Sequence, residues 1–239
     1  MRPLLGLCLR QLSGGRRLLL LVLLSALPVA VTGIFAGFAE EIDLEGFVNG
    51  VLDGMIVGAI LPIVTMALAT SAFGDEVDDR TLSYLVLKPL PRWRIVLPKL
   101  MASIIVAGPI IIAGGVGATL IAFEAGVRPA LAVAAALAVG LIAYASIFTW
   151  AGLVTTRALG FALVYVILWE GVIGSFLAGV RYLSVRGYAL GILHGLDGES
   201  FEAVAERAIE LPAAVGGAAA VTLAFALFTV RRLRRMDIP

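Results

Sequence analysis

Apolar residues run through most of this chain without the regular polar breaks of a soluble fold. Six such stretches stand out, at about 18–37, 51–72, 100–123, 130–154, 159–180 and 212–230. Each is near the roughly 20 residues a helix needs to cross a hydrocarbon core. The polar sequence between the fourth and fifth is only a short turn, Thr155-Thr156-Arg157, but it is long at 73–99 and at 181–210. The pattern predicts an all-α, polytopic membrane protein: one transmembrane domain over 1–239, with six transmembrane helices.

Residues 1–13 carry a different pattern. Leu4, Leu5, Cys8, Leu9 and Leu12 fall on one helical face, and Arg2, Gly6 and Arg10 on the other. Such a helix lies in the membrane interface. Gly14-Gly15 breaks it, and Arg16 and Arg17 then stand at the membrane edge. The leucines from Leu18 also resemble the apolar part of a secretory signal, but apolar sequence continues to about Phe38 with no small-residue cleavage site, which favours a retained span.

Composition fixes the class without adding chemistry. The chain has 239 residues, 61% hydrophobic and 15% charged, with a mean hydropathy of +1.04; soluble domains are about half apolar and a quarter charged. The formal net charge of +1 gives no sign of a nucleic-acid partner. One cysteine, Cys8, excludes an internal disulfide, and one histidine, His194, leaves little for a metal site. No glycine-rich loop ends in Gly-Lys-Ser/Thr, so the chain is expected to bind no nucleotide cofactor and to be no ATPase itself.

The placement of charge is more informative than its sum. With the N-terminus inside, 14 of the 18 lysines and arginines fall on the cytoplasmic side. Arg128, Arg181, Arg186 and Arg207 fall outside, with the acids Glu40, Glu41, Asp43 and Glu45 and those of 197–210. The positive-inside rule then puts both termini in the cytoplasm of a cell membrane, as an even number of spans requires. The segment 73–99 becomes the largest cytoplasmic loop. The segment 181–210 is extracellular, and within it Phe201, Val204, Ala205, Ala208 and Ile209 form the apolar face of a predicted surface helix.

The cytoplasmic loop has internal order. Asp75, Glu76, Asp78 and Asp79 come first, then an apolar-periodic run, then Pro89, Pro91, Arg92, Arg94 and Lys99. Asp75 can cap a short helix whose dipole the acids complement. Glu76 and Arg80 stand four apart in the favoured order for a helical pair. Val77, Thr81, Leu82 and Leu85 recur at helical spacing, and Pro89 ends the helix. A solvated loop remains the plain alternative.

Within the spans, Gly33 and Gly37, and Gly50, Gly54 and Gly58, recur at the spacing that allows close helix approach. Glu170 is the one acid near the middle of a span. A charge there costs roughly 2.5 kcal/mol or more, so it should face protein or water. Two readings stand side by side: a pathway residue, or a structural hydrogen bond to a neighbouring helix or to Tyr165. Asp53, nearer the end of its span, is expected to be a solvated boundary residue.

The loop resembles the cytoplasmic loop of type-2 ABC exporter permeases. Glu76, Thr81, Leu82, Leu85, Pro89, Arg92 and Lys99 fall in the order and approximate spacing of that family's segment between its second and third spans. The interfacial N-terminal helix, the six spans and a re-entrant segment before the last are also similar to it, and the stretch from Trp169 resembles the exit of its fifth span. Pro98 departs from the glycine the family usually has before the lysine. The resemblance implies a permease subunit that works as a homodimer or heterodimer with separate ATP-binding cassette subunits, which hold the ATP and Mg. Asp75, Glu76, Asp79, Arg80, Thr81, Leu82, Leu85, Pro89 and Arg92 would form the coupling helix that docks on them, and Arg2, Arg10, Arg16, Arg17 and Lys99 would lie at the membrane interface. The alternatives are an ion-gradient-driven transporter using Glu170 and a non-transporting membrane assembly protein.

Overall fold

The computed structural model describes residues 2–12, 14–38, 42–78, 91–155, 157–173 and 178–235. They are helical almost throughout, with no β-strand among the described residues. Helix α1 spans Arg2–Leu12 and α2 spans Gly15–Phe38. Helix α3 covers Leu44–Gly74, and its winding continues over Ser71–Asp78. Next come α4, Trp93–Ala122, and α5, Val127–Val154. Helix α6 is α-helical over Ala158–Tyr165 and π-wound over Val166–Ile173. After a 3-10 turn at Ala178–Leu183 come α7, Val185–Leu196, and α8, Leu211–Arg235.

Helices α2, α3, α4, α5 and α8 are long and apolar enough to cross a membrane, and α6 is an apolar but shorter helix. The all-α architecture expected from the hydropathy pattern is present among the described residues, and its five long apolar helices are compatible with a multi-pass membrane protein. Helix α5 is the central post, packed on α3, α4, α7 and α8, and it buries Tyr144 and Phe148 completely. Helices α2 and α8 lie at the periphery with exposed apolar faces that include Leu19, Leu23, Phe35, Leu223 and Leu227. In water such faces would be costly; against lipid they are the expected surface.

Three local features differ from the sequence reading. No break separates α3 from the start of the loop. Gly74 N–H bonds to the Thr70 carbonyl and the Thr70 hydroxyl to Met66, so Asp75 sits inside a continuing helix rather than capping a new one. The segment 197–210 is a set of turns around one 3-10 turn, Glu202–Val204, rather than a surface helix. Its apolar positions Phe201, Val204 and Ile209 are buried in the main core; they bend over the bundle instead of lying on a flat surface.

Close helix approach also falls elsewhere than at the glycine repeats. Nothing lies within 4 Å of a methyl placed on Gly33, Gly37 or Gly50. A methyl on Gly114 would collide with the Ser25 carbonyl of α2, and one on Gly152 with the Thr70 carbonyl of α3. The reason for the shift on α3 is its winding. Phe47–Ile60 is a π-helix, a form usually seen as a single turn and often at functional sites, and residues four apart in it do not stack as they do in an α-helix.

Candidate functional site

Two polar clusters sit at opposite ends of the bundle. At the end away from α1, both π-wound segments present a buried acid: Asp53 on α3 and Glu170 on α6. Helix α7 supplies the partner for Glu170. Ser184 is its N-cap and accepts from Gly187 N–H. The next two backbone N–H groups have no partner within the helix, and Glu170 takes both: Val185 N–H at 3.0 Å and Arg186 N–H at 3.3 Å. The Ser184 hydroxyl and the Tyr165 hydroxyl, the latter at 3.1 Å, also donate to it. All four contacts use Glu170 as an acceptor, the role a carboxylate fills, and the positive end of a helix favours it there. The hydrogen bond to Tyr165 and to a neighbouring helix is thus what the side chain makes, while it also lines a cavity.

Asp53 is not a solvated boundary residue. It is fully buried, with Arg186 Nε on one oxygen and Arg207 Nη1 on the other, both at 2.7 Å. Arg207 also donates to Asn49 and to the Ala203 carbonyl. A methyl on Gly58 would sit 3.0 Å from the Asp53 carbonyl oxygen and in ordinary contact with the Arg186 guanidinium. Arg181 from the 3-10 turn donates to the Glu206 carbonyl. Asp53, Glu170, Arg181, Arg186 and Arg207 line one cavity of about 190 Å³. Sequence reasoning missed this convergence, having counted the three arginines only as outside bases. The available signal was Asp53 itself, an acid inside an apolar stretch.

At the α1 end, Lys99 of α4 is buried and pairs with Glu76 at 2.7 Å. Its ammonium also donates to the Ala72 carbonyl and lies 4.6 Å from the Phe73 ring centre. A buried ammonium needs such a full set of partners. Glu76 keeps one oxygen, Oε2, with no partner among the described residues. A small second core stands beside the pair: Phe73, Ile95, Val96, Leu153 and Leu233, with Val77 packed on it. Val77, grouped with Leu82 and Leu85 by its helical spacing, therefore packs within the chain. Helix α1 covers this end by packing on α4, and burial pushes the Cys8 thiol up while nearby Lys99 pulls the other way.

The remaining predicted residues are scattered. Arg10 and Arg16 are exposed and Arg17 is half-buried. Arg92 is the residue before the first turn of α4. Arg2 and Asp75 lie on helices, but their side chains are outside the described residues. Asp79, Arg80, Thr81, Leu82, Leu85 and Pro89 lie wholly outside them, and with them the expected Glu76–Arg80 pair. No family model matches the chain, and no curated protein matches it.

Proposed function

We propose that the chain is the transmembrane permease subunit of an ATP-driven type-2 ABC exporter in a cell membrane. The observation that carries this reading is the Glu76–Lys99 pair. It joins the two ends of the loop whose residues resemble the family's coupling segment. The end of α3 and the start of α4, which flank that loop, are thereby tied to each other. A push on the tip passes into α3 and α4 together.

The membrane crosses six times in this reading, α6 being the fifth span, with both termini and the loop in the cytoplasm. Two permease subunits, identical or related, pair with two separate ATP-binding subunits that bind ATP and Mg. Closure of those subunits presses on the loop and opens the pathway outward. Val77 belongs to the chain's own second core, which leaves Leu82 and Leu85 as the apolar dock.

The test is Leu82→Asp in the full chain, coexpressed with an ATP-binding cassette protein that copurifies with the wild type. Burial of one leucine in a partner groove contributes about 1.5–3 kcal/mol, so copurification should fall at least tenfold while membrane insertion stays normal. Undiminished binding and transport would remove the coupling role. A second reading, a proton-driven transporter with Glu170 as carrier, is favoured by the place of Glu170 on the cavity. It requires transport that persists without any ATP-binding partner and collapses with the proton gradient.

A further inference from the structure

The cavity at the far end holds more positive charge than its acids use. Three guanidiniums and two carboxylates line it, a formal excess of one positive charge. Both carboxylates are saturated: each Asp53 oxygen meets an arginine, and each Glu170 oxygen takes two donors. The arginines are not saturated. A guanidinium has five N–H donors. Among the described residues Arg186 uses only its Nε, towards Asp53, and Arg181 only its Nη1, towards a carbonyl. Among the described residues Arg181 has no acid partner.

We infer that this cavity is a binding site for a phosphate-class oxyanion, a phosphodiester headgroup or free phosphate, with Arg181 and the unused face of Arg186 as its donors. The guanidinium fork matches phosphate oxygens two at a time. The arginines reach the cavity from three separate segments, the 3-10 turn, the first turn of α7 and the chain before α8. They can therefore meet different oxygens of a tetrahedral group, which a planar carboxylate lacks. A phosphodiester carries one negative charge, equal to the excess. The volume of about 190 Å³ far exceeds the roughly 10–15 Å³ that one water needs on this measure. Asp53 and Glu170 fix the site: the first holds Arg186 and Arg207 in place, and the second anchors the start of α7, from which Arg186 projects.

The inference is independent of the exporter reading, and its test needs no partner subunit. The full chain, purified in a sugar detergent free of phospholipid, is titrated with inorganic phosphate, with phosphatidylglycerol, and with chloride at matched ionic strength, and its thermal unfolding midpoint is followed. Phosphate or phosphatidylglycerol should raise the midpoint where chloride does not, and Arg181→Gln should weaken the response about tenfold. A response to phosphatidylglycerol alone identifies a headgroup as the source; a response to both identifies the phosphate itself. Should Arg181→Gln fail to accumulate, Arg181→Lys keeps the charge but loses the fork and should also bind more weakly. Equal midpoints in all three titrations, or variants that respond like the wild type, would reduce the cluster to an internal ion-pair network.

Discussion

The two ends of the bundle solve the same problem, a charge placed among apolar helices, in different ways. At the far end Asp53 and Glu170 are surrounded: two arginines on one, four donors on the other, and no acid oxygen left over. At the α1 end Glu76 shares one oxygen with Lys99, and its Oε2 has no partner among the described residues. The first arrangement ties α3, α6, α7 and the turns before α8 into one unit. The second ties only the two ends of one loop. A saturated network resists change, because any loss strands a buried charge. Lys99 is buried too, so loss of Glu76 would also strand a charge, but that pair joins two segments where the far network joins four. The far end thus fixes four segments against one another, and the α1 end fixes only the two flanks of one loop.

The largest expected effect tests the rigid end. Asp53→Asn leaves Arg186 and Arg207 without their anion, and stranding buried partners costs about 3 kcal/mol or more. Partial exposure of both arginines, at 23% and 37% of their side chains, sets this nearer the lower bound. The unfolding midpoint in detergent should fall clearly; an unchanged midpoint would mean the network contributes no rigidity.

Glu170→Gln should cost less. Glutamine keeps one acceptor oxygen but turns an amide towards the donors that met the other, a loss of about 1–2 kcal/mol. Insertion should be preserved. Changed pH dependence of transport, with only this modest stability loss, would add a pathway role; transport like the wild type at every pH would leave Glu170 as the anchor of α7.

The clamp comes next. A double-mutant cycle with Glu76→Gln and Lys99→Met should give a coupling of about 1 kcal/mol in stability, but a larger loss in ATP-dependent transport than in folding. A coupling as large as that of Asp53 with its arginines would erase the contrast between the two ends.

The smallest perturbation sharpens which end faces which side. With Cys8 replaced by serine, Asp78→Cys should be labelled only from the cytoplasm and Glu199→Cys only from outside, with stability unchanged. Reversed labelling of either would overturn the assigned orientation.

Hydropathy along the chain determined the all-α class and the presence of several helices long and apolar enough to cross a membrane, though α3 and α4 begin seven residues before the stretches expected for them. It could, because burial in lipid is a property of consecutive residues and requires no knowledge of partners. The amphipathic α1 and the apolar face of 197–210 were readable for the same reason, although the second proved to be turns. What only the tertiary structure decided are the pairings. Asp53 meets Arg186 and Arg207 across 133 and 154 residues, Glu170 meets the start of a helix on another segment, and Glu76 meets Lys99 across the loop rather than along one helix. The π-winding of Phe47–Ile60, which moved the glycine repeat off the expected interface, was equally hidden. These depend on which helices pack side by side. An arginine in a loop and an aspartate in a span show no sign of each other until packing removes water from both.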